Sequence, residues 1–161
     1  MKRKFKIVVT VAIDTEPTAI DHIGVRQGLN WLQDKVEYLL IDPLKNTPEE
    51  IARKIIDFKP DLVVYYMDLL LRQKIPERIS GKIKCRQVFW ELDYRPLKAN
   101  LEQSYDGFWQ EWKEQMKYLE HIFLSNKGQL NAWKDFFGVS TSYLPHGCYI
   151  VDKLEYDEKF R

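Results

Sequence analysis

Within one short stretch, residues 121–147, the chain spells out strand, turn, helix and strand. An apolar run of Ile122, Phe123 and Leu124 stops at Ser125-Asn126, the composition of a strand tip feeding a helix. Leu130, Trp133, Phe136 and Phe137 recur at helical spacing, and Gly138 follows as a residue that tolerates the left-handed position after a helix. A second strand, near Thr141 to Leu144, ends at Pro145-His146-Gly147. This order is a βαβ unit, and it constrains everything else. Strands joined through a helix run parallel, the crossover is right-handed, and a parallel sheet needs cover on both faces.

The rest of the chain repeats the pattern. Residues 5–13 are nearly all apolar and β-branched, as in a strand buried on both faces, and a polar loop follows at 14–18. Residues 20–33 read as a helix with Ile23, Leu29 and Leu32 among its apolar positions, though Gly24 and Gly28 weaken it. A second strand at 36–41 stops at Asp42-Pro43. Thr47-Pro48-Glu49-Glu50 is a strong helix start, with Thr47 as cap, Pro48 at the first turn and Glu50 completing a capping box. Ile51, Ile55, Ile56 and Phe58 form its buried stripe, Lys59-Pro60 ends it, and residues 61–66 are the third strand. Residues 68–79 read as a short helix and then loop, broken at Pro76. A fourth strand at 86–91 precedes a long loop at 92–105. Asp106 then opens a helix to about residue 120, with Phe108, Trp112, Met116 and Leu119 on one face.

These elements predict an α/β fold: a doubly wound, mostly parallel, six-stranded Rossmann-like sheet with helices on both faces. One domain spans residues 1–148, and 149–161 is a linker or C-terminal arm. The expected strand order is 3-2-1-4-5-6, which puts the ligand crevice between strands one and four.

Composition removes several function classes. Lys+Arg of 25 against Asp+Glu of 24 leaves a net charge of +1, without the basic excess of a nucleic-acid binder. No apolar run reaches the length of a transmembrane segment. The short apolar run after Met1-Lys2-Arg3-Lys4 reads as a buried strand rather than a signal peptide. Cys85 and Cys148 form no CxxC pair, so reduced cysteines in a cytoplasmic protein are the plain reading. Gly24 and Gly28 lack the dinucleotide-binding spacing, and no P-loop motif exists. His146 and Cys148 make an H-x-C pair with no further ligands, so no metal and no bound cofactor are expected.

Three motifs together carry a family resemblance. They are Trp90-Glu91-Leu92-Asp93-Tyr94-Arg95-Pro96, Leu124-Ser125-Asn126-Lys127-Gly128-Gln129-Leu130, and Tyr143-Leu144-Pro145-His146-Gly147-Cys148. They resemble the N-terminal half of a group 1 glycosyltransferase of the two-domain GT-B type, in the branch related to spore-coat CgeB proteins. The resemblance covers roughly residues 5–150. It implies a domain that holds the acceptor, a glycan or small molecule, while a nucleotide sugar is the co-substrate of a second half. That donor half would begin near residue 150, and its counterpart is not in this sequence. The implied partner is therefore a donor-binding half or another copy of the chain, with little transferase activity expected from this half alone. The competing reading is a stand-alone, non-catalytic Rossmann-like binding or interaction module.

Glycosyl transfer needs a group to deprotonate or orient the acceptor hydroxyl and groups to stabilise developing charge. Asp93, in the Trp-x-x-Asp-x-Arg motif, is the first candidate catalytic carboxylate; its plain alternative is a loop aspartate bonded to its own backbone. His146 is the second, as a base near neutral pH or as a hinge residue bonded to backbone. Arg95 suits a bidentate clamp on phosphate or carboxylate, or a structural pair with Asp93 or Glu91. Trp90 stacks on a sugar or packs under the loop. Asp14 and Glu16 contact acceptor from the first loop or complement a helix dipole. Ser125 and Asn126 bond ligand hydroxyls or cap the next helix.

Overall fold

The computed structural model of the protein describes residues 3–12, 19–66, 68–91 and 106–145. Six strands form one sheet: β1 (Phe5–Thr10), β2 (Val36–Ile41), β3 (Leu62–Tyr65), β4 (Arg86–Glu91), β5 (His121–Leu124) and β6 (Thr141–Tyr143). All five pairings are parallel. The helices between them are α1 (Ala19–Trp31), α2 (Pro48–Phe58), α3 (Leu69–Arg72), α4 (Ile75–Ile79), α5 (Asp106–Met116) and α6 (Leu130–Phe137). The α/β, doubly wound reading holds, and the sheet is wholly rather than mostly parallel.

The strand order is not the expected one. It runs β2-β1-β3-β4-β5-β6, so β3 lies beside β1 and separates it from β4. Both orders obey right-handed crossovers, so handedness does not choose between them. A polar junction at the lower end of β1 favours the observed one. The Asp61 carboxylate accepts from the Lys6 backbone N–H at 2.8 Å and from the Arg3 guanidinium at 2.9 Å. The Asp61 N–H donates back to the Lys6 carbonyl at 2.8 Å. These contacts lead directly into the pairing of Ile7 with Leu62. The switch point, where successive crossovers turn opposite ways, accordingly lies between β1 and β3.

Two smaller differences have local causes. Pro76 starts a helix instead of breaking one: it sits in the first turn of α4, where its missing N–H costs nothing. Lys74 makes the preceding bend at φ 56. The α5 helix ends at Met116 rather than near residue 120, because the Glu120 N–H is taken by the Gln87 carbonyl at 2.8 Å, leading into β5. Elsewhere the local signals act as read. The Thr47 hydroxyl accepts from the Glu50 N–H, and the Glu50 carboxylate accepts from the Thr47 N–H at 2.8 Å. These bonds to Thr47 hold the Glu50 carboxyl below its ordinary value. Gly138 closes α6 at φ 71.

The two faces of the sheet differ. Val8, Val63, Tyr65, Phe89, Ile122 and Leu124 point to one face and join a continuous core with α2 to α6. At its centre three tryptophans interlock: Trp109 lies 5.2 Å from Trp112, and Trp112 lies 6.1 Å from Trp133. Phe89 meets Trp112 edge-on at 5.4 Å. The opposite face receives α1 at its β1–β2 end, where the Tyr38 hydroxyl donates to Asn30 Oδ1 at 2.6 Å. Of the described helices, α1 alone lies there, and Leu62, Val64, Trp90, His121 and Phe123 are only half-buried. No described helix is long and apolar enough to cross a membrane.

Candidate functional site

Doubly wound sheets bind ligands outside the carboxyl ends of their strands, near the switch point. Here that edge begins at Val11 and Ala12, both 1% exposed, just past β1. It continues through Tyr66 and Asp68 after β3, Trp90 and Glu91 on β4, Ser125 after β5 and Leu144 after β6. Because β3 intervenes, the tips of β1 and β4 stand two strand spacings apart, about 9.6 Å, instead of side by side.

Trp90 is the sequence candidate that the described edge presents most fully. Alternation along β4 sends Gln87, Phe89 and Glu91 to the helix-packed side and Val88 and Trp90 to the other. The half-buried indole meets the Tyr66 ring at 5.4 Å with the planes at 87°. Its N–H donates to the Leu144 carbonyl at 3.4 Å. These contacts brace the ring at its edges; the loop of the packing reading, residues 92–105, lies outside the described residues.

Ser125 is half-buried, and its backbone N–H donates to the Glu91 carbonyl at 3.2 Å, so it extends the β4–β5 ladder to the edge. Asn126 is engaged as a cap. Its Oδ1 accepts from the Gly128 N–H at 2.8 Å and opens the single turn of 3-10 helix at Lys127–Gln129. A Cβ added at Gly128 would come within 3.2 Å of that oxygen, which favours glycine there. Asp14, Glu16, Asp93, Arg95 and His146 lie outside the described residues.

The edge also holds groups that sequence reasoning passed over. Tyr66 and Asp68 stand just past β3, whose tip the expected strand order puts away from the crevice. The Asp68 carboxylate, its side chain 19% exposed, takes the Arg72 guanidinium at 2.7 Å. Glu91 is a buried carboxylate, 5% exposed, at the last position of β4. Carboxylates are seldom buried this deeply unless paired. The sequence signal that marks it is an acidic residue at the end of an otherwise apolar strand.

Below the edge, polar contacts are structural. The Tyr65 hydroxyl donates to Gln87 Oε1 at 2.6 Å, two residues along β4 from its register partner Phe89. Burial, then the nearby Cys85, pushes the Tyr65 phenol well above its ordinary value, so it remains a neutral donor. Thr10 Oγ1 donates to the Val64 carbonyl at 3.2 Å, tying β1 to β3. Cys85 precedes β4 at the opposite end of the sheet. Burial, with a contribution from Glu120, pushes its thiol up to about 11, which makes it a poor nucleophile at neutral pH. Among the described residues no group of three or more His, Cys, Asp or Glu side chains could hold a metal ion.

At the β6 end, the Lys127 ammonium sits 4.7 Å from the centre of the Tyr143 ring, and Tyr143 and Leu144 are exposed at 41% and 36%. The edge thus offers aromatic surface on the tips of β3, β4 and β6, with the Asp68 carboxylate after β3. No family model matches this chain, and no curated protein matches it.

Proposed function

We propose that this protein is the acceptor-binding half of a glycosyltransferase, acting with a nucleotide-sugar-binding half. The observation that carries the reading is Trp90, half-buried at the carboxyl tip of β4 on the side of the sheet away from the aromatic core. An aromatic ring at a ligand-binding edge offers a flat apolar surface to the C–H face of a sugar. Ser125 on the neighbouring tip and Asp68 on the other side supply polar groups for hydroxyls. The motif resemblance adds Asp93 as the carboxylate that orients or deprotonates the acceptor hydroxyl, Arg95 as an anion clamp, and Asp14, Glu16 and His146 as further contacts. The nucleotide sugar belongs to the other half.

Titration calorimetry tests the division of labour. Glycan acceptors should bind this chain, and Trp90→Ala and Asp93→Ala should each weaken that binding by roughly tenfold or more. Nucleotide sugars should bind weakly or not at all. Tight nucleotide-sugar binding by this chain alone overturns the reading, as does acceptor binding that both substitutions leave intact.

A further inference from the structure

Trp90 is held at both ends. The β3–β4 register pairs Tyr65 with Phe89, which makes Tyr66 and Trp90 cross-strand neighbours one step closer to the edge. Their rings stand perpendicular at 5.4 Å. On the other flank the indole N–H reaches the Leu144 carbonyl beyond β6. Strand β5 lies between β4 and β6, and its Phe123 is the register partner of Trp90. The indole therefore lies along the flank of β5, tied to the strand ends on either side. A side chain with two torsions, fixed by a ring on one side and a hydrogen bond on the other, has little freedom left to lose when a ligand arrives.

Two perpendicular rings make a corner. A flat ring ligand resting on one aromatic surface meets the other at its rim, which limits how it can turn. Tyr66 follows the buried Tyr65 directly, yet it is half-buried on the opposite side of the sheet. Strand alternation explains that orientation, and the strand order sets Tyr66 beside the switch point, where doubly wound sheets bind ligands.

We infer that Tyr66 and Trp90 form one subsite that takes the flat C–H face of a pyranose ring, with Tyr66 setting the angle of the Trp90 indole. This rests on the acceptor-binding reading and names the acceptor class: a glycan or glycoside whose terminal ring is a pyranose.

The test uses the full chain, isotope-labelled, and follows the Trp90 indole N–H resonance, identified by its loss in Trp90→Phe. The probes are methyl pyranosides of glucose, galactose and N-acetylglucosamine, and a nitrophenyl glucoside. At least one methyl pyranoside should shift the Trp90 resonance. Tyr66→Ala should move that resonance in the free protein and weaken pyranoside binding roughly tenfold. Tyr66→Phe should restore both, and the melting temperature of each variant shows that it is folded. Pyranoside binding seen by calorimetry that leaves the Trp90 resonance in place overturns the subsite and spares the acceptor reading. Absence of binding by every probe overturns the pyranose subsite, and glycan acceptors that still bind in the calorimetry spare the acceptor reading. A response to the nitrophenyl compound alone means the recognised ring is aromatic and overturns the pyranose assignment. Tyr66→Phe behaving as Tyr66→Ala would show that the hydroxyl, rather than the ring, does the positioning, and the corner falls.

Discussion

Trp112 and Trp90 put the same side chain to opposite uses on the two faces of one sheet. Trp112 is fully buried among Phe89, Trp109 and Trp133, and every ring around it fills space that a smaller residue would leave empty. Trp90 keeps part of its ring in solvent and is fixed by one neighbouring ring and one backbone carbonyl. The first arrangement gives cohesion. The second braces a ring at the surface, where less of its area leaves water on folding and its contribution to stability is smaller.

Substitutions can break this contrast. The largest expected effect is Trp112→Ala, a cavity at the centre of the core that should cost about 3–5 kcal/mol by denaturant unfolding. Asp61→Ala should follow at about 1–3 kcal/mol, because the Lys6 N–H loses its carboxylate partner at the junction of β1 and β3. Hydrogen exchange at Lys6 should accelerate in that variant; an unchanged rate would mean the carboxylate does not fix the strand order. Trp90→Ala should cost less than Trp112→Ala, about 1–2 kcal/mol, since the residue is partly in water already. A loss comparable to that of Trp112→Ala would erase the distinction between the two faces.

Thr47→Ala, remote from both tryptophans, should cost about 1 kcal/mol through its lost cap. The capping box carries a pH signature as well. The bonds from Thr47 lower the Glu50 carboxyl in the folded state. That contribution is therefore complete above the unfolded carboxylate value and disappears as pH falls through the folded one. Unfolding measured from pH 7 down to pH 3 should show the wild type losing more stability than Glu50→Gln, while Thr47→Ala, which keeps the backbone N–H donor to the carboxylate, retains most of that pH dependence. The smallest effect concerns Cys85. In a Cys148→Ser background its alkylation should be slow at pH 8 and accelerate toward the thiol's pKa of about 11. Ready labelling at pH 8 would mean the lower end of β4 is more open than its burial implies.

Much of the fold was legible because its signals are local. Thr47 and Glu50 are one helical turn apart and satisfy each other without help from the rest of the chain. Gly138 adopts its positive φ from its own lack of a side chain. Leu130, Trp133 and Phe137 share a helix stripe whatever lies beneath it. The site was legible only in part. Trp90 could be placed at a strand tip from the apolar run before it, and Asn126 reads equally as ligand contact or cap until the Gly128 N–H is seen on its oxygen. Tyr66 could not be singled out, since its importance depends on which strand stands next to β3.

The sequence alone therefore determined the elements and their parallel sense: alternating buried strands and amphipathic helices leave a chain little else to form. The tertiary structure decided the neighbours. Strand order reflects pairings such as Lys6 with Asp61, fifty-five positions apart, and local propensities are the same whether β1 meets β3 or β4. That long-range choice put the switch point between β1 and β3, brought Tyr66 beside it and set it against Trp90. The residues were in the sequence, but their meeting came from the packing of the sheet.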